Sequence, residues 1–171
     1  MLRIGVMTAI LIANFSLQST LFHYIEILGV TPNTALIIIV SYSILRGDVE
    51  GAILGLFAGL LTDIYFNSYI GLCALMCMLI GYFCGKPFRN FFRENFILPL
   101  SLVAASSLIY QFIIYVVDFL FRAELNLPYF FKTIILPGTV YTLILTVPIY
   151  SLLYGINGKL EEFEKKNRKL F

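Results

Sequence analysis

The sequence from Gly47 to Asp63 reads GDVEGAILGLFAGLLTD, with Gly47, Gly51, Gly55 and Gly59 at every fourth position before the closing aspartate. Glycine weakens a helix in water, but in a bilayer helices associate where small residues let their backbones approach closely. Glycines at this spacing line one face of a helix. We expect this face either to pack against another helix of the same chain or to dock a helix of another protein, and the register alone favours packing within the chain.

The composition of the whole chain is that of a membrane protein. Its 171 residues are 60% hydrophobic and only 13% charged, with a mean hydropathy of +0.90. A soluble domain carries about 25% charged residues. Long uncharged stretches recur along the chain, and a bilayer core of about 30 Å needs roughly 20 apolar residues per helix. These features predict an all-α, polytopic bundle of membrane helices.

Six helical membrane segments are predicted, and they cover residues 4–25, 33–45, 51–65, 70–84, 97–120 and 133–154. The first is interpreted as an uncleaved span, because no small-x-small cleavage site follows it. Segments 33–45 and 51–65 are short for a bilayer, so they form either two thin-fitting spans or a re-entrant hairpin with its tip at residues 46–48. The bundle is expected to occupy residues 1–155, followed by a basic cytoplasmic tail at 156–171.

The distribution of basic residues predicts the orientation in the membrane. If the N-terminus is cytoplasmic, ten of the twelve Lys and Arg residues fall on the inner side, and only Arg122 and Lys132 fall outside. Cytoplasmic segments carry such an excess, so both termini are expected in the cytoplasm. Two basic groups are candidates for contact with lipid or with a cytoplasmic partner: Lys86, Arg89 and Arg93 in a loop, and Lys165, Lys166, Arg168 and Lys169 in the tail.

Polar side chains inside the apolar segments are candidates for packing contacts or for a small pocket. Asn14 and Gln18 lie four residues apart in the first segment, and Gln111 and Asp118 lie on one stripe of the fifth. Such residues face the bundle interior, where they hydrogen-bond to neighbouring helices or line a cavity. Asp63 closes its segment near the outer surface, so we interpret it as a helix-end anchor rather than as a proton or ion site.

Catalytic and metal-binding patterns are absent from the sequence. The chain has no HExxH, GxSxG or phosphate-loop motif. Cys73, Cys77 and Cys84 lie in one apolar segment, while His23, the only histidine, lies elsewhere. We therefore expect a protein that is not an enzyme and has no metal or other cofactor, and no nucleic-acid partner is expected.

An ordered series of short motifs within residues 14–85 resembles the rod shape-determining protein MreD family. The length, the expected topology and the basic tail fit the same family. The motifs are Asn14 with Leu17-Gln18-Ser19-Thr20, then Gly29-Val30-Thr31-Pro32-Asn33, Arg46-Gly47, Glu50-Gly51, Gly55, Gly59-Leu60-Leu61-Thr62-Asp63, Gly71, Ala74-Leu75 and Gly81-Tyr82. One position departs from the pattern, because the family commonly has Asp where this chain has Asn33.

The resemblance implies a membrane scaffold subunit of the bacterial cell-wall elongation complex, located in the cytoplasmic membrane and regulating peptidoglycan synthesis and cell shape. Members of the family are thought to bind the bitopic protein MreC and to work with the glycosyltransferase RodA, a class B penicillin-binding transpeptidase and the MreB filament. The family is also similar in fold to the substrate-binding subunits of energy-coupling-factor transporters. A small-molecule transporter or its substrate-binding membrane subunit is an alternative, because the polar stripes of the first and fifth segments could line a ligand site. A third alternative is an intramembrane enzyme that uses Asp63 and Asp118 as acid and base.

Overall fold

The computed structural model describes residues 9–16, 18, 32–66, 71–86, 97–122 and 131–168, and the side chains of 66, 118–122 and 161–168 are not among the described parts. Six helices form this part of the chain, and no strand occurs in it. They are α1 (residues 9–16), α2 (Thr34–Arg46), α3 (Asp48–Phe66), α4 (Leu72–Gly85), α5 (Ile97–Arg122) and α6 (Leu136–Arg168), with a π-helical turn at Phe131–Ile135 leading directly into α6. The predicted all-α fold is confirmed for these residues.

Helix α2 lies at the centre of the bundle. All of its residues from Thr34 to Leu45 are buried, and it packs against α3, α4, α5 and α6. A helix that is apolar on every side belongs in a core, and the sequence TALIIIVSYSIL has no charged face that would need water. With 13 residues, α2 is short for a bilayer, and it is enclosed by the other helices.

Helix α3 is longer than the sequence pattern predicted, because it begins at Asp48 rather than at Gly51. Asp48 and Glu50 occupy its first turn, where negative side chains are stabilised by the partial positive charge of a helix N-terminus. The phenolic hydroxyl of Tyr42 on α2 also donates a hydrogen bond of 2.8 Å to the Glu50 carboxylate. The 19 residues of α3 rise about 28 Å, close to the thickness of a bilayer core.

Helix α6 continues well beyond the segment predicted to end at residue 154. It runs without a break through Gly155 to Arg168, so the expected tail at 156–171 begins as an extension of the same helix. Its 33 residues rise about 50 Å, which exceeds the thickness of a hydrocarbon core. The last buried side chain on the described part of this helix is Leu160.

The outer surface of the bundle is apolar. Exposed large hydrophobic side chains occur on each of the five other described helices, for example Ile12, Phe57, Phe83, Ile109 and Ile144. Two helical stretches, Ile97–Val117 and Phe131–Leu160, are long and apolar enough to cross a membrane. An exterior of this kind suits a lipid environment better than water.

Candidate functional site

The glycine face of α3 packs against the backbone of α4. A Cβ atom added to Gly55 would lie 2.7 Å from the carbonyl carbon of Cys77, and one added to Gly59 would lie 2.7 Å from the backbone nitrogen of Ala74. Real Cβ atoms do not approach other atoms so closely, so a side chain at either position would force the two helices apart. This face is therefore filled by the chain's own α4.

Gly51 lies where three helices meet. A Cβ atom there would be 2.7 Å from the Cβ atom of Ser43 on α2 and 3.0 Å from the carbonyl oxygen of Gly81 on α4. The Ser43 hydroxyl donates a 2.7 Å hydrogen bond to the carbonyl of Ile39, which fixes the serine against its own helix. The absence of a side chain at Gly51 thus allows α2, α3 and α4 to converge at one level.

Gly47 has a different role from the other glycines of the series. It lies outside α3, in the single-residue connection from Arg46 to Asp48, with a φ of 114° that side chains other than glycine rarely adopt. Its N–H donates a 2.8 Å hydrogen bond to the carbonyl of Ser43 and so terminates α2. Gly47 therefore makes the turn before α3 rather than lying within the helix, and its backbone still packs against α4, because a Cβ atom added to Gly85 would lie 2.6 Å from the carbonyl carbon of Gly47.

Asp63 caps the start of α4 from inside the bundle. Its side chain is fully buried, and one carboxylate oxygen accepts the N–H groups of Gly71 at 2.9 Å and Ala74 at 3.0 Å, while the other accepts the N–H of Cys73 at 3.3 Å. The first N–H groups of a helix have no partner within the helix, and a carboxylate satisfies several of them at once. Gly71 permits this arrangement by adopting a φ of 107°.

A polar seam joins α5 to α6. The side-chain amide of Gln111 donates to the hydroxyl of Ser107 at 3.0 Å and to the hydroxyl of Thr139 on α6 at 3.2 Å. Thr139 in turn donates to the carbonyl of Ile135 at 2.7 Å. The polar stripe recognised on α5 therefore pairs with α6, by hydrogen bonds of the kind that hold membrane helices together.

The threonines of this seam also reach the start of α2. The hydroxyls of Thr142 and Thr146 each donate to a carbonyl one turn earlier in α6, at 2.7 and 2.8 Å. The Thr142 hydroxyl also accepts the backbone N–H of Asn33 at 3.4 Å. Sequence analysis missed this threonine face. Thr139, Thr142 and Thr146 are separated by three and then four residues, a spacing that places them on one side of a helix.

The other polar candidates are Asn14, Gln18 and Asp118. Asn14 and Gln18 are half-buried on the first helical segment. The backbone of Asp118 belongs to α5, but its side chain lies outside the described part, and so does His23. Within the described residues, no group of three or more His, Cys, Asp and Glu side chains is placed to hold a metal ion.

The basic residues that are candidates for contact with lipid or a partner are described only in part. Lys86 is exposed just after α4, and its ammonium group lies 5.1 Å from the ring centroid of Tyr82 and 3.2 Å from the hydroxyl of that ring. Such a contact combines a cation–π interaction with a hydrogen bond and leaves the ammonium exposed. The backbones of Lys165, Lys166 and Arg168 belong to α6, but their side chains are not described. Arg89, Arg93 and Lys169 lie outside the described residues.

A family model described as rod shape-determining protein MreD matches residues 1–156 of the chain. No curated protein and no solved structure matches it.

Proposed function

The chain belongs to the MreD family of rod shape-determining proteins, and we propose that it is a non-enzymatic, multi-pass scaffold subunit of the cell-wall elongation complex in the bacterial cytoplasmic membrane. Family membership gives the chain a role in rod shape determination. In the proposed role, it holds an MreC-type bitopic protein, a RodA-type glycosyltransferase and a class B penicillin-binding transpeptidase together through contacts between membrane helices. Peptidoglycan synthesis is regulated by bringing these proteins into one assembly beside the MreB filament.

The observation that carries this proposal is the contrast between the two sides of the α3–α4 hairpin. The inner side is closed by the glycine contacts and by α2, so no partner helix can enter there. The outer side presents large exposed apolar side chains, which are Val49, Ile53, Phe57 and Ile64 on α3 and Leu75, Leu79 and Phe83 on α4. We therefore place the docking surface for the single membrane helix of the bitopic partner on this outer side.

The physical basis of this docking is shape rather than hydrophobicity. Lipid tails are as apolar as the side chains of a helix, so membrane helices gain stability from close van der Waals packing and from hydrogen bonds. Ile53 and Phe57 lie one turn apart and form a ridge along α3 that the grooves of a partner helix can accept.

The proposed surface is tested by truncating one large side chain on it and a matched one elsewhere. Phe57→Ala removes a side chain that is 56% exposed on α3, and Phe112→Ala removes one that is 51% exposed on α5. Loss of a large aromatic from the centre of an interface costs about 2 kcal/mol or more, roughly a thirty-fold loss of affinity. Phe57→Ala should therefore abolish co-purification of the MreC-type protein and disturb rod shape, while Phe112→Ala should preserve both. Equal retention of the partner by the two variants would contradict this surface.

The cytoplasmic basic residues form the second contact region in the proposal. Helix α6 extends beyond the thickness of a bilayer core, and its last turns carry Lys165, Lys166 and Arg168, followed by Lys169. Together with Lys86, Arg89 and Arg93, these residues contact the filament or the anionic membrane surface, to which each basic residue adds about 1 kcal/mol.

Transport of a small molecule is less well supported. The alternative requires the polar side chains of the spans to face a ligand. The amide of Gln111 is instead hydrogen-bonded to Ser107 and Thr139, and Thr142 and Thr146 donate to carbonyls of their own helix. We therefore favour the scaffold over a substrate-binding subunit.

A further inference from the structure

The exposed apolar ridge of α3 has a carboxylate at its beginning. Val49, Ile53 and Phe57 are each more than half exposed, and they follow one another at intervals of four residues. Glu50 is also exposed and precedes Phe57 by seven residues, which is close to two turns of the helix. The carboxylate therefore lies on the same side of α3 as the ridge, in the turn that begins the helix.

A contact with α2 holds this carboxylate in position and leaves its charge without an opposite charge. The Oε2 atom of Glu50 accepts the 2.8 Å hydrogen bond from the hydroxyl of Tyr42, whose side chain is buried on α2. Among the described side chains, no Lys or Arg forms an ion pair with Glu50. The ammonium group of Lys86, after the end of α4, contacts the ring and the hydroxyl of Tyr82 instead.

A helix that docks on the ridge brings its cytoplasmic end to Glu50. In the orientation expected from the basic residues, the start of α3 faces the cytoplasm, and Glu50 lies about 10 Å from Phe57 along the helix axis. The cytoplasmic flanks of membrane helices are rich in Lys and Arg. A basic flank on a docked helix and the carboxylate of Glu50 thus meet at one depth and are complementary in charge.

We propose that Glu50 forms an ion pair with a Lys or Arg residue in the cytoplasmic flank of the bitopic partner's membrane helix. This ion pair rests on the docking surface and the membrane orientation of the proposed function, and it adds the residue that fixes the partner's direction and depth. The ridge alone leaves both open, because apolar contacts are not directional. Complementary charge at one end of the interface selects a single register.

Two carboxylates in the same turn of α3 provide a matched test. Glu50→Gln keeps the oxygen that accepts from Tyr42 and removes the charge, and Asp48→Asn makes the same change on a half-buried side chain nearly opposite on the helix. In titrations with the purified MreC-type protein in detergent, Glu50→Gln should weaken binding about five-fold, which corresponds to about 1 kcal/mol for an exposed ion pair. Asp48→Asn should bind like the wild type. Equal affinity of Glu50→Gln and the wild type, or an equal loss in both variants, would overturn the proposal.

Charge reversal identifies the residue on the partner. Glu50→Lys should weaken binding further, and replacement of one basic residue in the partner's flank by Glu should restore it for this variant but not for the wild type. At about 1 M salt, where the Debye length is about 3 Å, the difference between the wild type and Glu50→Gln should disappear. A reversal that no basic residue of the flank rescues would contradict the ion pair.

Measurements without the partner exclude a role within the chain. Both carboxylates lie in the first turn of α3, so Glu50→Gln and Asp48→Asn should lower the thermal unfolding temperature by the same small amount. A larger loss confined to Glu50→Gln would assign its charge to a contact inside this chain and overturn the proposal.

Failure of the ion pair is distinct from failure of the docking surface. If Phe57→Ala loses the partner and Glu50→Gln binds it like the wild type, the surface stands and the ion pair is refuted. If Phe57→Ala and Phe112→Ala bind the partner equally, the surface is refuted and the ion pair with it.

Discussion

The carboxylate of Asp63 fixes the start of α4 although it belongs to the end of α3. Its two oxygens accept three backbone N–H groups, from Gly71, Cys73 and Ala74. The N–H groups of Cys73 and Ala74 are buried, and a buried N–H without a partner costs about 1–3 kcal/mol. An acid or base in catalysis would need access to a substrate, whereas this side chain is fully enclosed. The residue thus links the end of α3 to the start of α4.

Replacement of Asp63 should therefore lower stability. Asp63→Ala removes all three acceptor contacts, and loss of a cap together with unsatisfied N–H groups should reduce the free energy of unfolding by about 2 kcal/mol or more. Asp63→Asn keeps one acceptor oxygen and should have a smaller effect. Thermal unfolding in detergent with a thiol-reactive dye measures both, because the cysteines Cys73, Cys77 and Cys84 are buried in the folded protein. An Asp63→Asn variant that retained its stability and lost support of rod shape would instead indicate a chemical role.

Asn33 shows why a departure from a family pattern need not change the structure. Its side-chain oxygen accepts the N–H of Leu36 at 3.1 Å and so caps the first turn of α2. Asn and Asp are about equally good at this position, because each supplies one oxygen acceptor. The contact with Thr142 uses the backbone N–H of Asn33 and is independent of the side chain.

Asn33→Asp should consequently leave the protein unchanged within about 0.5 kcal/mol, whereas Asn33→Ala should destabilise it by about 1 kcal/mol. Thermal unfolding of the two variants, side by side with the wild type, provides the comparison. Marked destabilisation by Asn33→Asp would indicate that a negative charge is not tolerated beside Thr142, and that the neutral amide is required in this chain.

Asp63 and Gln111 show what the sequence could reveal about single residues. The position of Asp63 at the end of an apolar segment suggested an anchor, but the pattern could not identify which N–H groups it accepts. The polar stripe containing Gln111 was visible from its spacing, yet its partner Thr139 lies 28 positions away. Local periodicity reports which side of a helix is polar, and the pairing of sides depends on how distant helices pack.

At the scale of elements, the α3–α4 hairpin depends on the absence of side chains. Gly55 and Gly59 place the α3 backbone against the α4 backbone. Gly81 on α4 likewise lies against the backbone of Gly51 on α3. Contacts at this distance give membrane helices their packing energy. The four-residue spacing predicted one smooth helix face, but it could not tell whether the occupant was α4 or a partner, because both would require the same glycines. Gly47 fits the same spacing while acting as a turn, so spacing alone did not separate the two roles.

Two glycines on different helices provide a matched comparison. Gly55→Ala adds a Cβ atom that would meet the Cys77 backbone, and overpacking of this kind costs about 1–3 kcal/mol. At Gly155 on α6, nothing lies within 4 Å of the added atom, so Gly155→Ala should stabilise the helix by about 0.5–1 kcal/mol. Thermal unfolding should therefore shift in opposite directions for the two variants. Equal shifts would contradict the close contact between α3 and α4.

A defect in cell shape caused by a glycine substitution need not reflect loss of partner binding. A bulky substitution at Gly55 or Gly59 should disrupt assembly because the hairpin itself no longer packs, not because a partner has lost its binding surface. Such a variant should show lower stability in the absence of the partner. A variant on the outer surface, such as Phe57→Ala, should unfold like the wild type and fail only when the partner is added.

At the scale of the whole molecule, hydropathy was sufficient to predict the helical class and the approximate positions of the helices. It was not sufficient to predict the arrangement, since α2 and α5 are both apolar and only α2 is enclosed on all sides. Charges near helix ends accounted for the largest errors in boundaries. Asp48 and Glu50 were assigned to a connection but lie in the first turn of α3, and the helix of the segment predicted to end at residue 154 continues to Arg168.

The orientation expected from the same charges can be measured directly. Lys132 and Lys159 are both exposed and lie at opposite ends of the apolar stretch Phe131–Leu160, so each can be replaced by cysteine without disturbing the core. The three native cysteines are buried and should give little background with a membrane-impermeant thiol reagent. Because Lys and Arg are retained on the cytoplasmic side, we expect Lys132→Cys to react in spheroplasts and Lys159→Cys to react only after the membrane is permeabilised. The reverse pattern would place the basic segments outside and exclude contact with a cytoplasmic filament, and reaction of both cysteines in spheroplasts would show that this stretch does not cross the membrane.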